Sequence, residues 1–146
     1  MSFSAFARIT GALVALLEAE PPLSQQIFRA RDRQLAEEFP DAINVQFDGA
    51  LPARGAIFGA PVDWESKFTI ECYARTTTTS ADLAVDPLLM QVYERIAADR
   101  TLGDLVTDIG EPMIEAEYNA EQQRTGWVRM SYPVMHQTNN LTLEQP

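Results

Sequence analysis

Hydrophobic and polar positions along the chain alternate with two different periods. Between Phe3 and about Ala19, Phe6, Ile9, Leu13, Leu16 and Leu17 recur at helical spacing and form one apolar stripe, which predicts a core-facing helix. Ser2 or Ser4 supplies a capping hydroxyl at its start. Pro21-Pro22 stops it, because neither proline can donate a backbone hydrogen bond. A second helix is predicted over Asp82 to Asp99, where Val85, Leu89, Val92 and Ile96 form a stripe. Within it Asp86-Pro87 reads as a cap followed by proline at the first helical position, so the regular helix is expected from Pro87 after a leading turn. Leu102-Gly103 ends this unit.

The remaining pattern has a period of two. Ile43, Val45 and Phe47 alternate with Asn44, Gln46 and Asp48, the mark of a half-buried strand. The longest such run is Val62 to Arg75. It puts Val62, Trp64, Phe68, Ile70, Cys72 and Ala74 on one face, interrupted by Ser66, and Asp63, Glu65, Lys67, Thr69, Glu71, Tyr73 and Arg75 on the other. One face is expected on the core, the other in water or at a polar interface. Ile114, Ala116 and Tyr118 alternate with Glu115, Glu117 and Asn119. Val128, Met130, Tyr132 and Val134 alternate with Arg129 and Ser131, and Trp127 falls on the outer face. Asn119 to Gly126 is a polar connection ending in glycine, suited to an antiparallel hairpin. Ser24 to Ala30 is a short strand candidate, and Arg31 to Phe39 is weakly helical up to Pro40.

Strands that cluster in sequence, joined by short turns, give an α+β fold: a mainly antiparallel or mixed sheet with helices packed on one face. Residues 1–135 are expected as a single domain and residues 136–146 as a polar, mobile tail.

Charge changes the picture. Twenty-one acidic residues against eleven basic ones leave a net charge of −10, opposite in sign to what phosphate neutralisation demands, so a nucleic-acid or anionic-membrane binder is disfavoured. No apolar run reaches the roughly 18 residues that span a bilayer. With one cysteine and one histidine, no intramolecular disulfide and no Cys/His zinc site can be assembled, and the start of the chain has no basic region of a secretory signal. These features predict a chain made in a reducing cytoplasm without a metal or cofactor.

Common catalytic constellations fail in turn. There is no glycine-rich phosphate loop, and Cys72 lies on an apolar strand face, where a thiol is a small core residue. His136 sits where the last strand gives way to the tail, a place where histidine is expected in solvent rather than as a general base. Carboxylate pairs such as Glu115 and Glu117, or Asp63, Glu65 and Glu71, share strand faces, but outer faces are polar in any sheet. No catalytic residue is assigned.

Surface that a monomer does not need is the stronger signal. The connection from Asp48 to Pro61 runs fourteen residues and carries Leu51, Arg54, Ile57 and Phe58 among glycines and prolines. Apolar residues on such an arm suit docking into a neighbour, the alternative being a loop folded back as a lid on the core. Trp127 on a polar strand face points the same way, since aromatics and arginine are enriched at interface cores. Ten arginines against the single Lys67 suit bidentate pairing with carboxylates of adjacent subunits. Arg54, Ile57, Phe58 and Trp127 are therefore the candidate interface residues.

The order of elements resembles the tail terminator proteins of long-tailed bacteriophages, the lambda-like minor tail proteins that cap a completed tail tube. The resemblance covers roughly Phe6 to Val134 and is carried by order and spacing. Its parts are the opening helix ending near Pro21-Pro22, the strand pair around Ile43–Phe47 and Val62–Arg75, the helix with Asp86-Pro87-Leu88-Leu89 leading to Leu102-Gly103, and the closing Trp127–Val134 strand with Tyr132. It implies a homo-oligomer, a hexameric ring, seated on the last ring of tail tube protein. Such a ring ends tube growth and offers the surface to which head and neck connector proteins attach. It further implies a virion tail location after assembly in the bacterial cytoplasm, no catalysis, and DNA that passes through the lumen without specific binding. A head-to-tail adaptor or head completion protein shares parts of the pattern. A small carboxylate-based enzyme is the alternative from a different class.

Overall fold

The computed structural model describes residues 2–30, 40–53, 59–119 and 124–146. Among these residues two helices and six strands follow in the order α1 (Ala5–Glu18), β1 (Ile27–Arg29), β2 (Asp41–Pro52), β3 (Val62–Thr76), α2 (Ala81–Ala97), β4 (Asp108–Ile109), β5 (Met113–Asn119) and β6 (Arg124–Thr138). All strands join one mixed sheet. β1 pairs with β2 in parallel, and β2–β3, β3–β6, β4–β6 and β5–β6 are antiparallel. β3 lies along the whole of β6 on one side, so β4 and β5 share its other side, end to end. The fold is α+β, as the periods predict.

Both helices pack on the same face of the sheet, α1 over β1 and β2, and α2 over β3 and β6. Ser4 caps α1, its hydroxyl oxygen accepting from the Ala7 amide at 3.2 Å. Ile9, Leu13 and Leu17 of α1 and Val85, Leu88, Val92 and Ile96 of α2 share one core with Ile43, Val45, Phe68, Ile70, Cys72, Val128, Met130, Tyr132 and Val134 of the sheet. A smaller cluster of Phe28, Ala42, Tyr73 and Trp127 forms on the opposite sheet face.

Several expectations are corrected. α2 begins at Ala81, with Pro87 inside it, and buries Leu88 more deeply than Leu89. Proline forfeits one backbone bond there, yet Leu83, Asp86 and Pro87 face solvent, where water can serve the freed carbonyl. β2 runs on to Pro52 past a bulge between Phe47 and Gly49, so the first five residues of the expected connection, Leu51 among them, belong to a strand. β6 continues through Thr138, which puts the first residues of the expected tail inside the sheet. The residues beyond fold back: the Ala5 amide donates to the Leu143 carbonyl at 2.7 Å, and Ser2 Oγ donates to the Glu144 carboxylate. The weak helix expected over Arg31 to Phe39 lies outside the described residues.

Candidate functional site

Three groups were singled out for chemistry, and the fold disposes of each differently. Cys72 is sealed in the core, and burial first, then the Asp41 and Glu71 charges, push its thiol up to about 12. It is protonated and inert at neutral pH.

His136 is not in solvent; it is 2% exposed. Alternation carries every second residue of β6 from Gly126 to Thr138 to the helix side, which is why a strand that runs four residues past Val134 buries it. Its Nε2 lies 2.6 Å from Ser66 Oγ, and the Phe6 ring meets its imidazole edge-on at 5.3 Å. Among the described residues Nδ1 has no hydrogen-bond partner, so none of their carboxylates orients the ring as a triad requires. Ser66 is equally buried, which leaves a substrate no path to its hydroxyl. Desolvation holds the His136 pKa below the usual imidazole value.

The carboxylates separate along the outer sheet face. Glu71, expected in water or at a polar interface, is buried together with Thr69 and Tyr73. Asn44 Nδ2 donates to its Oε1 at 3.2 Å, and Arg129 Nη2 approaches its Oε2 at 3.6 Å. Glu115 and Glu117 share that face but remain exposed. With Glu71, Trp127 and Arg129 they line an open cleft of about 430 Å³. Among the described residues, no group of three or more His, Cys, Asp or Glu side chains is placed to hold a metal ion.

Of the candidate interface residues, Arg54, Ile57 and Phe58 lie outside the described residues. Trp127 is on the outer face as expected, but its ring packs at a tilt against Tyr73 at 4.5 Å between centroids and is partly buried in the small second core. Intramolecular packing thus accounts for much of its surface.

The exposed apolar surface lies elsewhere. After the β2 bulge, Leu51 points to the outer face and is 72% exposed. Beside it Ala50, Met113 and Pro133, rimmed by Asp48, Glu65, Lys67 and Glu111, enclose an open concavity of about 600 Å³ with a mostly apolar wall. Farther along, β5 was expected to be half-buried, yet all seven of its residues are exposed, Met113 by 66%, Ile114 by 48% and Tyr118 by 53%. The reason is reach: α2 covers β3 and β6 and only grazes the strand beyond them. Acids at alternate positions 115 and 117, with Glu111 just ahead, were the sequence signal that this strand borders solvent.

Set beside models of known protein families and beside curated proteins, the chain matches none.

Proposed function

We propose that the chain is an assembly protein of a long-tailed bacteriophage, a subunit of a hexameric ring that caps the tail tube, ends its growth and presents the surface for head attachment. The observation that carries this reading is the apolar concavity around Leu51, Ala50, Met113 and Pro133, open to solvent on the outer sheet face of an isolated subunit. Exposed apolar patches of this kind mark interaction sites. The order of elements that resembles tail terminators supports the identity of the assembly. Its partners on this reading are further copies of itself, the tube protein on one side and neck connectors on the other. A net charge of −10 per subunit suits a ring through which DNA slides without being gripped.

Light scattering during size-exclusion chromatography tests the reading. The wild-type chain is expected to approach six times its 16.3 kDa mass as concentration rises. Leu51→Asp is expected to keep the fold, because the side chain is exposed, and to run as a monomer. A wild-type chain that stays monomeric at every concentration overturns the ring. A Leu51→Asp ring of unchanged mass overturns its placement at the concavity.

A further inference from the structure

We propose that the free edge of β5 is a docking site for an extended basic segment of a partner protein, one that alternates apolar residues with arginine or lysine and adds to the sheet as a further strand. β5 pairs with β6 along one side only, so its other side presents backbone amides and carbonyls that no described strand takes up. Its two faces differ in kind. Register with β6 puts Met113, Glu115 and Glu117 on the outer face beside Ser131, Arg129 and Trp127, and Ile114, Ala116 and Tyr118 on the helix side beside Met130, Val128 and Gly126.

The outer row is acidic and enters no ion pair among the described residues. Arg129, the cation opposite Glu115, lies against Glu71, and none of Glu111, Glu115 and Glu117 forms an ion pair with a described residue. Cross-strand neighbours stand about 5 Å apart between Cβ atoms, so cations at alternate positions of an added strand would sit directly opposite Glu115 and Glu117. The helix-side row is apolar and wet: Ile114 and Tyr118 are about half exposed, and Tyr93 of α2 shares a crevice with Pro112 nearby. Apolar residues at the intervening positions of the added strand would cover that row. Strand addition of this type draws affinity from main-chain bonds and specificity from alternate side chains.

Charge decides against other occupants. A second β5 edge would bring the Glu115 and Glu117 rows of two copies opposite one another, a like-charge arrangement that destabilises a sheet. Nucleic acid has the wrong sign. Glutamates that served only to blunt the edge against aggregation would not leave Ile114 and Tyr118 bare on the other face.

Fluorescence anisotropy with a dye-labelled, end-blocked peptide of alternating arginine and valine tests the proposal on the full chain. It is expected to bind the wild-type protein. Glu115→Gln/Glu117→Gln, both exposed and so neutral to folding, should weaken binding about tenfold. The same peptide with its arginines in one block, or N-methylated at alternate residues along one edge, should lose about as much. Block and N-methylated peptides that bind as well as the alternating one overturn the proposal, because mere attraction to an acidic chain then explains the signal. No peptide binding, together with self-association that Glu115→Gln/Glu117→Gln strengthens, overturns it in favour of a second copy. The readout is independent of ring mass, so this site and the ring can fail separately.

Discussion

Replacing Gly126 with alanine tests how α2 is seated on the sheet. Gly126 lies near the start of β6, beneath the first turn of α2. A Cβ built there would stand 2.7 Å from the backbone carbonyl oxygen of Ala81 and 3.1 and 3.3 Å from Val85 Cγ1 and Cβ. Ordinary contact begins near 3.4 Å, so the first turn of α2 must rise by about 0.7 Å. The nearest atom is backbone, and no rotamer change can relieve it. Lifting that turn also loosens Val85 and Leu88, both buried against the sheet. Overpacking a rigid core costs about 1–3 kcal/mol, and this site belongs near the upper end because a helix must move. Removing a glycine from a strand returns about 0.5–1 kcal/mol, leaving a net loss of about 2 kcal/mol. For a domain of this size that lowers the melting temperature by roughly 4–8 °C. Urea unfolding followed by circular dichroism measures it, with the denaturant slope checked for two-state behaviour. Gly126→Ala/Val85→Ala should give no rescue, since the shortened valine leaves the Ala81 carbonyl in place. A Gly126→Ala protein as stable as wild type, or rescue by Val85→Ala, would refute the close seating of α2.

Two other features invite measurement. His136 is buried neutral, so the folded chain resists a proton that the unfolded chain takes up near pH 6.5. Its contribution is therefore intact above about pH 6.5 and is lost as pH falls below that value, by at most about 1.4 kcal/mol per unit; the stability difference between pH 7.5 and 5.5 should be larger for wild type than for His136→Asn, and equal differences would count against a neutral buried ring. Arg95 of α2 closes the end of α1, donating from Nη1 to the carbonyls of Leu16, Leu17 and Ala19 at 3.3, 3.4 and 2.8 Å and from Nη2 to that of Pro21 at 3.0 Å. Arg95→Met, which keeps the aliphatic stem, should cost about 1.5–3 kcal/mol in urea unfolding, and Arg95→Lys should recover only part because it lacks the planar fork; a silent Arg95→Met would mean that water serves those carbonyls equally well.

What the sequence disclosed, and what it hid, follows from where each pattern is decided. α1 was legible because its apolar stripe meets the sheet, so period and burial agree; β2 and β3 were legible as strands from their period, although both of their faces are buried over residues 42–45 and 68–74. β5 carries the same alternation but lies outside the reach of α2, and no local pattern says how far a helix extends over a sheet. His136 and Thr138 continue the inward phase of Val128 to Val134, and their polarity concealed that phase. Glu71 was legible as outward but not as covered, since its burial depends on Asn44 and Arg129 from two other strands. Pro87 was misread as a helix start because an interior proline looks the same in sequence as one at the first turn. Trp127 was correctly placed on the outer face, yet its ring contact with Tyr73 is a cross-strand contact that only the β3–β6 register creates.

The placement of the acids bears on how an exposed apolar surface stays unpaired until the right partner arrives. Leu51 stands directly across from Glu65, and Met113 lies between Glu111 and Glu115 in sequence and shares the concavity with Glu65 and Glu111. Two copies meeting through the same patch would therefore press carboxylate against carboxylate as they buried leucine against methionine. A two-fold contact is self-complementary by symmetry, and Lys67 is the single cation among the described rim residues that could offset that repulsion against Asp48, Glu65 and Glu111. A head-to-tail contact avoids it, because it joins two different patches, and repeated head-to-tail contacts close into a ring when the rotation between subunits allows. The same logic holds at β5, where the acidic row rejects its own copy and admits a basic strand. On the proposed reading, the acids beside the apolar residues of the concavity and of β5 disfavour symmetric pairing at those two places and favour directional assembly or a partner of opposite charge.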